Sequence, residues 1–352
     1  MGRESATRVR ANIVSWVEGG LGVDVQVVAR ALERAGCDVF VRGRRREPAR
    51  NRVHARLRTA AAEVAARWAT FTGRPLFDVT FFVESIFPRY LATGAVSALF
   101  VNPEWLRDDT VALVPKVDVL LCKTPGAVAA LRDLPAPSRC VFFTSPDRRV
   151  PGARPTDPLQ CLHVAGESGL KGTEAVVEAW SRHPEWPPLT VVRRAHRYDG
   201  TEAPPLPALP NVRYEATRVP DDVLREWQNA CAVHVQPSQA EGYGHVIGEA
   251  MSCGAVVVTT DAPPMNELVG PDRGVLVAVA RAEPMRRSAR SFVDVDDLEA
   301  RLAAVFAMTP DARAALGARA RAWFEAQDRR FDESVRTLIE ALPQPRAKDV
   351  GR

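Results

Sequence analysis

Short apolar runs alternate along this chain with longer stretches of helical spacing. Residues 10–17 (Arg-Ala-Asn-Ile-Val-Ser-Trp-Val) predict a first strand. A glycine-rich loop follows at 18–22, and 23–35 has the spacing of a helix that Gly36 closes. A second strand is expected at 38–42. Further strands are expected at 79–83, 97–101 and 117–122, then a helix near 125–132 and a closing strand at 141–144. Strands that alternate with helices imply a parallel sheet with crossover connections. Between 145 and 158 the chain carries four prolines and little apolar content, which reads as a linker. The alternation then resumes: strand 160–165, helix 173–181, strand 189–193, a proline-rich loop to 210, helix 220–230, strand 231–238, and strand 255–260. Helices are expected near 296–308, 310–326 and 331–341.

The densest chemistry lies between the strands at 231–238 and 255–260. The segment reads Pro237-Ser238-Gln-Ala-Glu241-Gly242-Tyr243-Gly244-His245-Val-Ile-Gly-Glu249-Ala250-Met251-Ser-Cys-Gly254. Glu241 is expected in the strand-to-helix loop and Glu249 inside the helix that follows. Gly242 and Gly244 let the backbone approach a ligand, and a helix N-terminus offers unpaired N–H groups to an anion. Donors for a diphosphate together with two hydroxyl acceptors are what a sugar-nucleotide site requires. A second segment, Leu162-His-Val-Ala-Gly166-Glu167-Ser168-Gly-Leu-Lys171-Gly172-Thr173, again runs from strand through glycine loop to helix. It places the Lys171 ammonium where it can reach phosphate oxygens beside a helix start.

These two segments resemble the signature of retaining glycosyltransferases with the GT-B fold, in the family 4-like group (glycosyl transferases group 1). Pro237, Ser238, Glu241, Gly242, Gly244, Glu249, Ala250, Met251 and Gly254 stand in register with its Glu-x7-Glu motif. The resemblance implies two Rossmann-like, doubly wound α/β domains facing a cleft, with a C-terminal helix that crosses back. It implies an N-terminal acceptor-binding domain at 1–147, a donor-binding domain at 158–328, and a crossover helix with tail at 329–352. It further implies that Glu241 and Lys171 serve catalysis. Gly166, Ser168, Lys171, Arg193, Gly242, Tyr243, Gly244, His245 and Glu249 would bind the donor, with Glu249 on the ribose hydroxyls. The family's phosphate loop usually carries Gly-Arg before Lys-Gly. Here Lys171 and Gly172 match, but Glu167 occupies the arginine position. Arg193 or Arg194, after the next strand, are candidates for the missing cation.

The N-terminal half departs further from the pattern. Gly19 and Gly20 match the family's cleft loop; a third glycine of a dinucleotide fingerprint is lacking, which argues against a nicotinamide enzyme. The cleft histidine of many relatives has no counterpart, since His54 is the sole histidine before the linker. Glu84, Asn102 and Glu104, each just after a strand, are the acceptor-side candidates. Asp294-Val-Asp296 matches the Asp-x-Asp string of metal-dependent transferases, but it precedes a helical run where aspartate is a favoured N-cap. The expected activity is therefore metal-independent and cofactor-free, moving a sugar from a nucleotide-diphosphate sugar to a hydroxyl-bearing acceptor. A sugar-nucleotide epimerase of the same fold and a catalytically degenerate nucleotide-binding subunit are the alternatives.

Composition narrows this only a little. The 352 residues are 46% apolar and 26% charged, a globular profile with room for two domains. The net charge is +4, with an arginine-rich stretch, Arg42-Gly-Arg-Arg-Arg46, that suits a solvated loop or peripheral contact with acidic substrates or a membrane surface. No nucleic-acid motif is present, so nucleic acid is not an expected partner. The six cysteines are scattered without a Cys-x-x-Cys pair, which argues against zinc and disulfides. No run approaches the ~20 apolar residues of a membrane span and no apolar leader opens the chain, so a cytoplasmic location is expected.

Overall fold

The computed structural model describes residues 8–15, 20–43, 52–153, 155–156 and 159–342. It divides into two compact units, one reaching Phe143 and resuming at Arg329, the other running from Thr144 to Asp328.

In the first unit the chain order is β1 (Arg10–Val14), α1 (Gly20–Arg34), β2 (Asp38–Arg42), α2 (Arg52–Thr72), β3 (Phe77–Val83), β4 (Gly94–Val101), α3 (Asp108–Val111), β5 (Val119–Cys122), α4 (Pro125–Ala130) and β6 (Ser138–Cys140). The six strands form one parallel sheet in the order β2-β1-β3-β4-β5-β6. Parallel strands covered on both faces must be apolar throughout rather than alternating. Accordingly Ile13, Phe81, Phe82, Leu99, Phe100, Leu120 and Leu121 are all buried. Thr124 caps α4 by accepting from the Ala127 N–H, with Pro125 at the first helical position, where its missing N–H costs nothing. The expected strand at 141–144 is not one; the edge strand is β6, three residues earlier.

The second unit contains β7 (Cys161–Gly166), α5 (Thr173–Arg182), β8 (Leu189–Arg193), β9 (Val212–Glu215), α6 (Asp221–Ala230), β10 (Val233–Gln236), α7 (His245–Cys253), β11 (Val256–Thr260), α8 (Met265–Leu268), β12 (Val275–Val277), β13 (Val279–Met285), β14 (Ser288–Val293) and α9 (Val295–Ala307). Its parallel sheet has the order β12-β11-β10-β7-β8-β9, the doubly wound arrangement whose direction of winding reverses between β7 and β10. Its core gathers Trp180, Val191, Val235, Val258 and Leu302. The antiparallel hairpin β13–β14 was not expected, because β13 is mostly exposed and lacks a continuous apolar face.

Both units thus have the α/β, Rossmann-like layering expected of GT-B proteins. The two expected C-terminal helices are one, α10 (Pro310–Glu340). Residues 327–330, Gln-Asp-Arg-Arg, are polar but include neither glycine nor proline, so the change of composition there does not stop the backbone. Its last turns belong to the first unit: Phe331 packs on Phe143 at 4.9 Å between ring centroids, and Asp332 accepts from Arg34 at 2.8 Å.

Candidate functional site

The site of the second unit grows from the two loops that diverge at its switch point, after β7 and after β10. Gly166 and Gly172 take the left-handed conformation, at φ +59° and +69°. At Gly172 the requirement is also steric: a Cβ would stand 2.1 Å from the Pro237 carbonyl oxygen. Glycine therefore lets the first loop press against the second, where the Gln239 N–H donates to the Leu170 carbonyl at 2.8 Å.

That approach brings together two side chains seventy positions apart. Lys171 Nζ lies 2.5 Å from Glu241 Oε1, with side chains 14% and 8% exposed. Ser238 Oγ donates to the same carboxylate oxygen at 2.6 Å. The neighbouring polar groups hold the loop bases. His163 Nδ1 donates to the Val235 carbonyl at 2.6 Å and its Nε2 accepts from Thr173 Oγ1 at 2.9 Å, which sets a neutral tautomer. Burial pushes that imidazole down to about 4, so it ties β7 to β10 and to the start of α5 without adding charge. Thr259 and Thr260 donate to the Gln236 and Ser238 carbonyls at 2.7 Å each.

Helix α7 begins at His245 behind Gly244, at φ +104°. His245 Nδ1 is 2.9 Å from Ser145 Oγ. One turn on, Glu249 Oε2 accepts from Gln228 Nε2 at 2.8 Å, and Gln228 Oε1 accepts from Arg148 Nε at 2.8 Å. Arg148 in turn pairs with Asp221 at 2.9 Å. Burial raises the Glu249 carboxyl, opposed by His245, the Gln228 hydrogen bond and Arg148. A positioned carboxylate of this kind is a hydroxyl acceptor. Tyr243 is 2% exposed and packs beneath the loop at 5.7 Å from the His245 ring, so it supports the site from the core side.

Around the first loop, Ser168 Oγ accepts from the Leu170 N–H at 3.2 Å. Glu167 faces Arg194, Nη2 to Oε1 3.9 Å, so the acid at the family's arginine position has its own cation. Arg193 is turned elsewhere: its Nη2 donates to the Pro204 carbonyl at 2.8 Å. Arg197, which the sequence did not single out, lies against the loop; a Cβ on Gly169 would start 3.1 Å from its Nε. The only hint of it in the sequence is the basic run at 193–197, Arg-Arg-Ala-His-Arg. Asp294 is an N-cap, accepting from the Asp296 and Asp297 N–H groups at 2.9 and 3.1 Å.

In the first unit, Gly19 lies outside the described residues, as does the side chain of His54, and Gly20 opens α1. Glu84 follows β3 with φ +66°, an uncommon conformation for a residue with a side chain. Burial pushes its carboxyl up to about 7, against the pull of Lys123. Asn102 and Glu104 follow β4 and are 5% and 1% exposed. Sequence reasoning missed the pair beside Glu84: Lys123 Nζ sits 2.6 Å from Asp24 Oδ2, both side chains 3% exposed, and 4.9 Å from the Phe143 ring.

Residues 170–293 match the family model described as glycosyl transferases group 1. No curated protein matches the chain by sequence. Among solved structures, sucrose-phosphate synthase from Thermosynechococcus elongatus is similar at TM-score 0.67 and 18% identity, covering 95% of this chain and all of its own. A structure of Anabaena HepE in complex with UDP and glucose is similar at TM-score 0.64 and 14% identity, with 95% of this chain and 100% of that one covered. A trehalose-6-phosphate structure from E. coli, bound with UDP-2-fluoro glucose, follows at 0.64 and 12%, over 96% and 99%. The family match covers residues 170–293 of the second unit, and the likeness to these solved structures spans nearly the whole chain and shows that it has the GT-B fold.

Proposed function

We propose that the chain is a retaining, metal-independent transferase that takes its sugar from a nucleotide-diphosphate donor held by the second unit and passes it to a hydroxyl held by the first. The observation that carries this reading is the Lys171–Glu241–Ser238 cluster at the switch point between β7 and β10, at the start of α7. A ligand-facing Lys–carboxylate pair of this kind exchanges partners when a diphosphate arrives. The ammonium turns to phosphate oxygens, and Glu241 is released to accept from a donor-sugar hydroxyl.

Chemistry then rests on charge stabilisation. As the glycosidic bond to the diphosphate lengthens, negative charge grows on the leaving oxygens. Lys171, the first amides of α7 and Arg197 beside the loop supply fixed positive potential there, while Arg194 is held by Glu167. Glu249, positioned by Gln228, receives the ribose hydroxyls. Retention of configuration rests on the family resemblance, and the complex of HepE with UDP and glucose supports the donor class by analogy.

Thermal shift with UDP, GDP, ADP, TDP and CMP, with and without attached sugars, tests the donor site. A ligand at 100 times its Kd adds about 2.7 kcal/mol, a shift of several degrees. NMR of the product anomer with the responding donor tests retention; an inverted product overturns it. No response to any nucleotide overturns the donor site. A response with neither transfer nor hydrolysis favours a binding-only subunit, the reading that Glu167 at the arginine position would fit.

A further inference from the structure

Helix α2 is amphipathic with its polarity reversed. The residues it turns into the first unit are alanines: Ala62, Ala66 and Ala69 are 8%, 1% and 0% exposed. The large apolar side chains point outward instead, with Val64 67%, Trp68 61% and Phe71 84% exposed. Spaced i, i+4 and i+7, these three share one face of the helix, and the Trp68 and Phe71 rings lie 6.5 Å apart. A helix that only packs on its own core places its bulk inward, so the outward bulk here has another use. The sequence repeats the spacing earlier in the helix, at Val53 and Leu57.

The sequence around this face is strongly basic. Arg67 is exposed next to Trp68, and exposed Arg74 follows the end of the helix. From 42 to 74 the sequence holds ten arginines against two acids, Glu47 and Glu63, and Glu63 is paired with Arg89 at 2.8 Å. A second copy of the chain would bring like charge to like across an isologous contact. An anionic surface with an apolar layer beneath it meets both features at once.

We propose that α2 seats this protein on an anionic lipid bilayer, with Val64, Trp68 and Phe71 entering the headgroup–acyl boundary and the flanking arginines on lipid phosphates. Aromatic rings favour that boundary, and arginine stems lie along it with the guanidinium in the headgroups. The contact is peripheral: among the described residues no helix is long and apolar enough to cross a membrane. This inference stands independently of the donor chemistry of the second unit.

The test is co-sedimentation of the full chain with phosphatidylcholine vesicles, with and without about 30% phosphatidylglycerol. The wild type is expected to pellet with the anionic vesicles, weakly with the neutral ones, and less as salt rises. Trp68→Glu/Phe71→Glu is expected to lower the partition coefficient by about a hundredfold, about tenfold per aromatic side chain withdrawn. Both positions face solvent, so circular dichroism and the nucleotide thermal shift serve as controls for folding. Absence of wild-type binding to anionic vesicles overturns the proposal, as does equal binding by the double variant. A wild-type dimer in light scattering that the double variant abolishes, with no vesicle binding, assigns the face to a second copy instead.

Discussion

The two units each place a buried lysine–carboxylate pair beside the carboxyl ends of a parallel sheet, yet the pairs are not equivalent. Lys123–Asp24 in the first unit is sealed, with both side chains 3% exposed, while Lys171–Glu241 in the second keeps 14% and 8%. Lys123 also lies over the Phe143 ring, and the carboxylate it holds comes from α1. Lys171 and Glu241 come instead from two glycine loops that part at a switch point, where ligands enter open α/β sheets. A sealed pair holds the fold; a pair with residual exposure can change partners. Electrostatic chemistry of the same kind is therefore sealed in one unit and left partly open to solvent in the other, as the proposed ligand exchange requires.

This contrast can be broken in order of expected effect. Lys123→Met removes the ammonium from a sealed carboxylate and is expected to destabilise the first unit by about 3–5 kcal/mol, leaving nucleotide affinity unchanged. Calorimetry and nucleotide titration together check it; a loss of nucleotide affinity in a folded variant would erase the distinction. Gly172→Ala forces a Cβ toward the Pro237 carbonyl at positive φ and is expected to cost the second unit about 3 kcal/mol, read as a lowered melting transition. Lys171→Ala is expected to weaken nucleotide-diphosphate binding by about 1.5–3 kcal/mol while stability changes less, measured by titration calorimetry.

Glu84→Gln sharpens the first-unit side. Its folded carboxyl is raised from 4.5 to about 7, so the folded state holds the proton more tightly than the unfolded chain. That contribution is present in full below pH 4.5 and is lost as pH rises toward 7. The variant should gain on wild type by about 2 kcal/mol between pH 5 and 8, the full shift being discounted for partial exposure. Melting curves at the two pH values decide it, and parallel pH profiles would contradict it. Asp294→Ala, loss of an ordinary cap, should cost about 1 kcal/mol without affecting transfer in the presence of chelator.

The glycine loop between β10 and α7 was legible in the sequence because its spacing is local. Gly242, Gly244 and Glu249 sit within one strand–turn–helix unit, where spacing alone decides which groups share a loop or a turn. Arg197 was not legible, since it reaches the glycine loop after β7 from beyond the next strand and only sheet order makes them neighbours. The sequence suggests two helices, 310–326 and 331–341, where α10 is continuous, because residues 327–330 hold no glycine or proline and helix continuity depends on breakers and not on polarity.

By itself the sequence determined the alternation of strands and helices, the glycine turns after β7 and β10, and the Glu-x7-Glu frame, all set by periodicity and by backbone conformations within a few residues. Only the tertiary structure decided that Lys171 meets Glu241, that Lys123 meets Asp24 ninety-nine positions away, and that α2 turns its alanines inward and its tryptophan out. Those outcomes depend on strand order and on the space left between packed elements, and no local pattern encodes either.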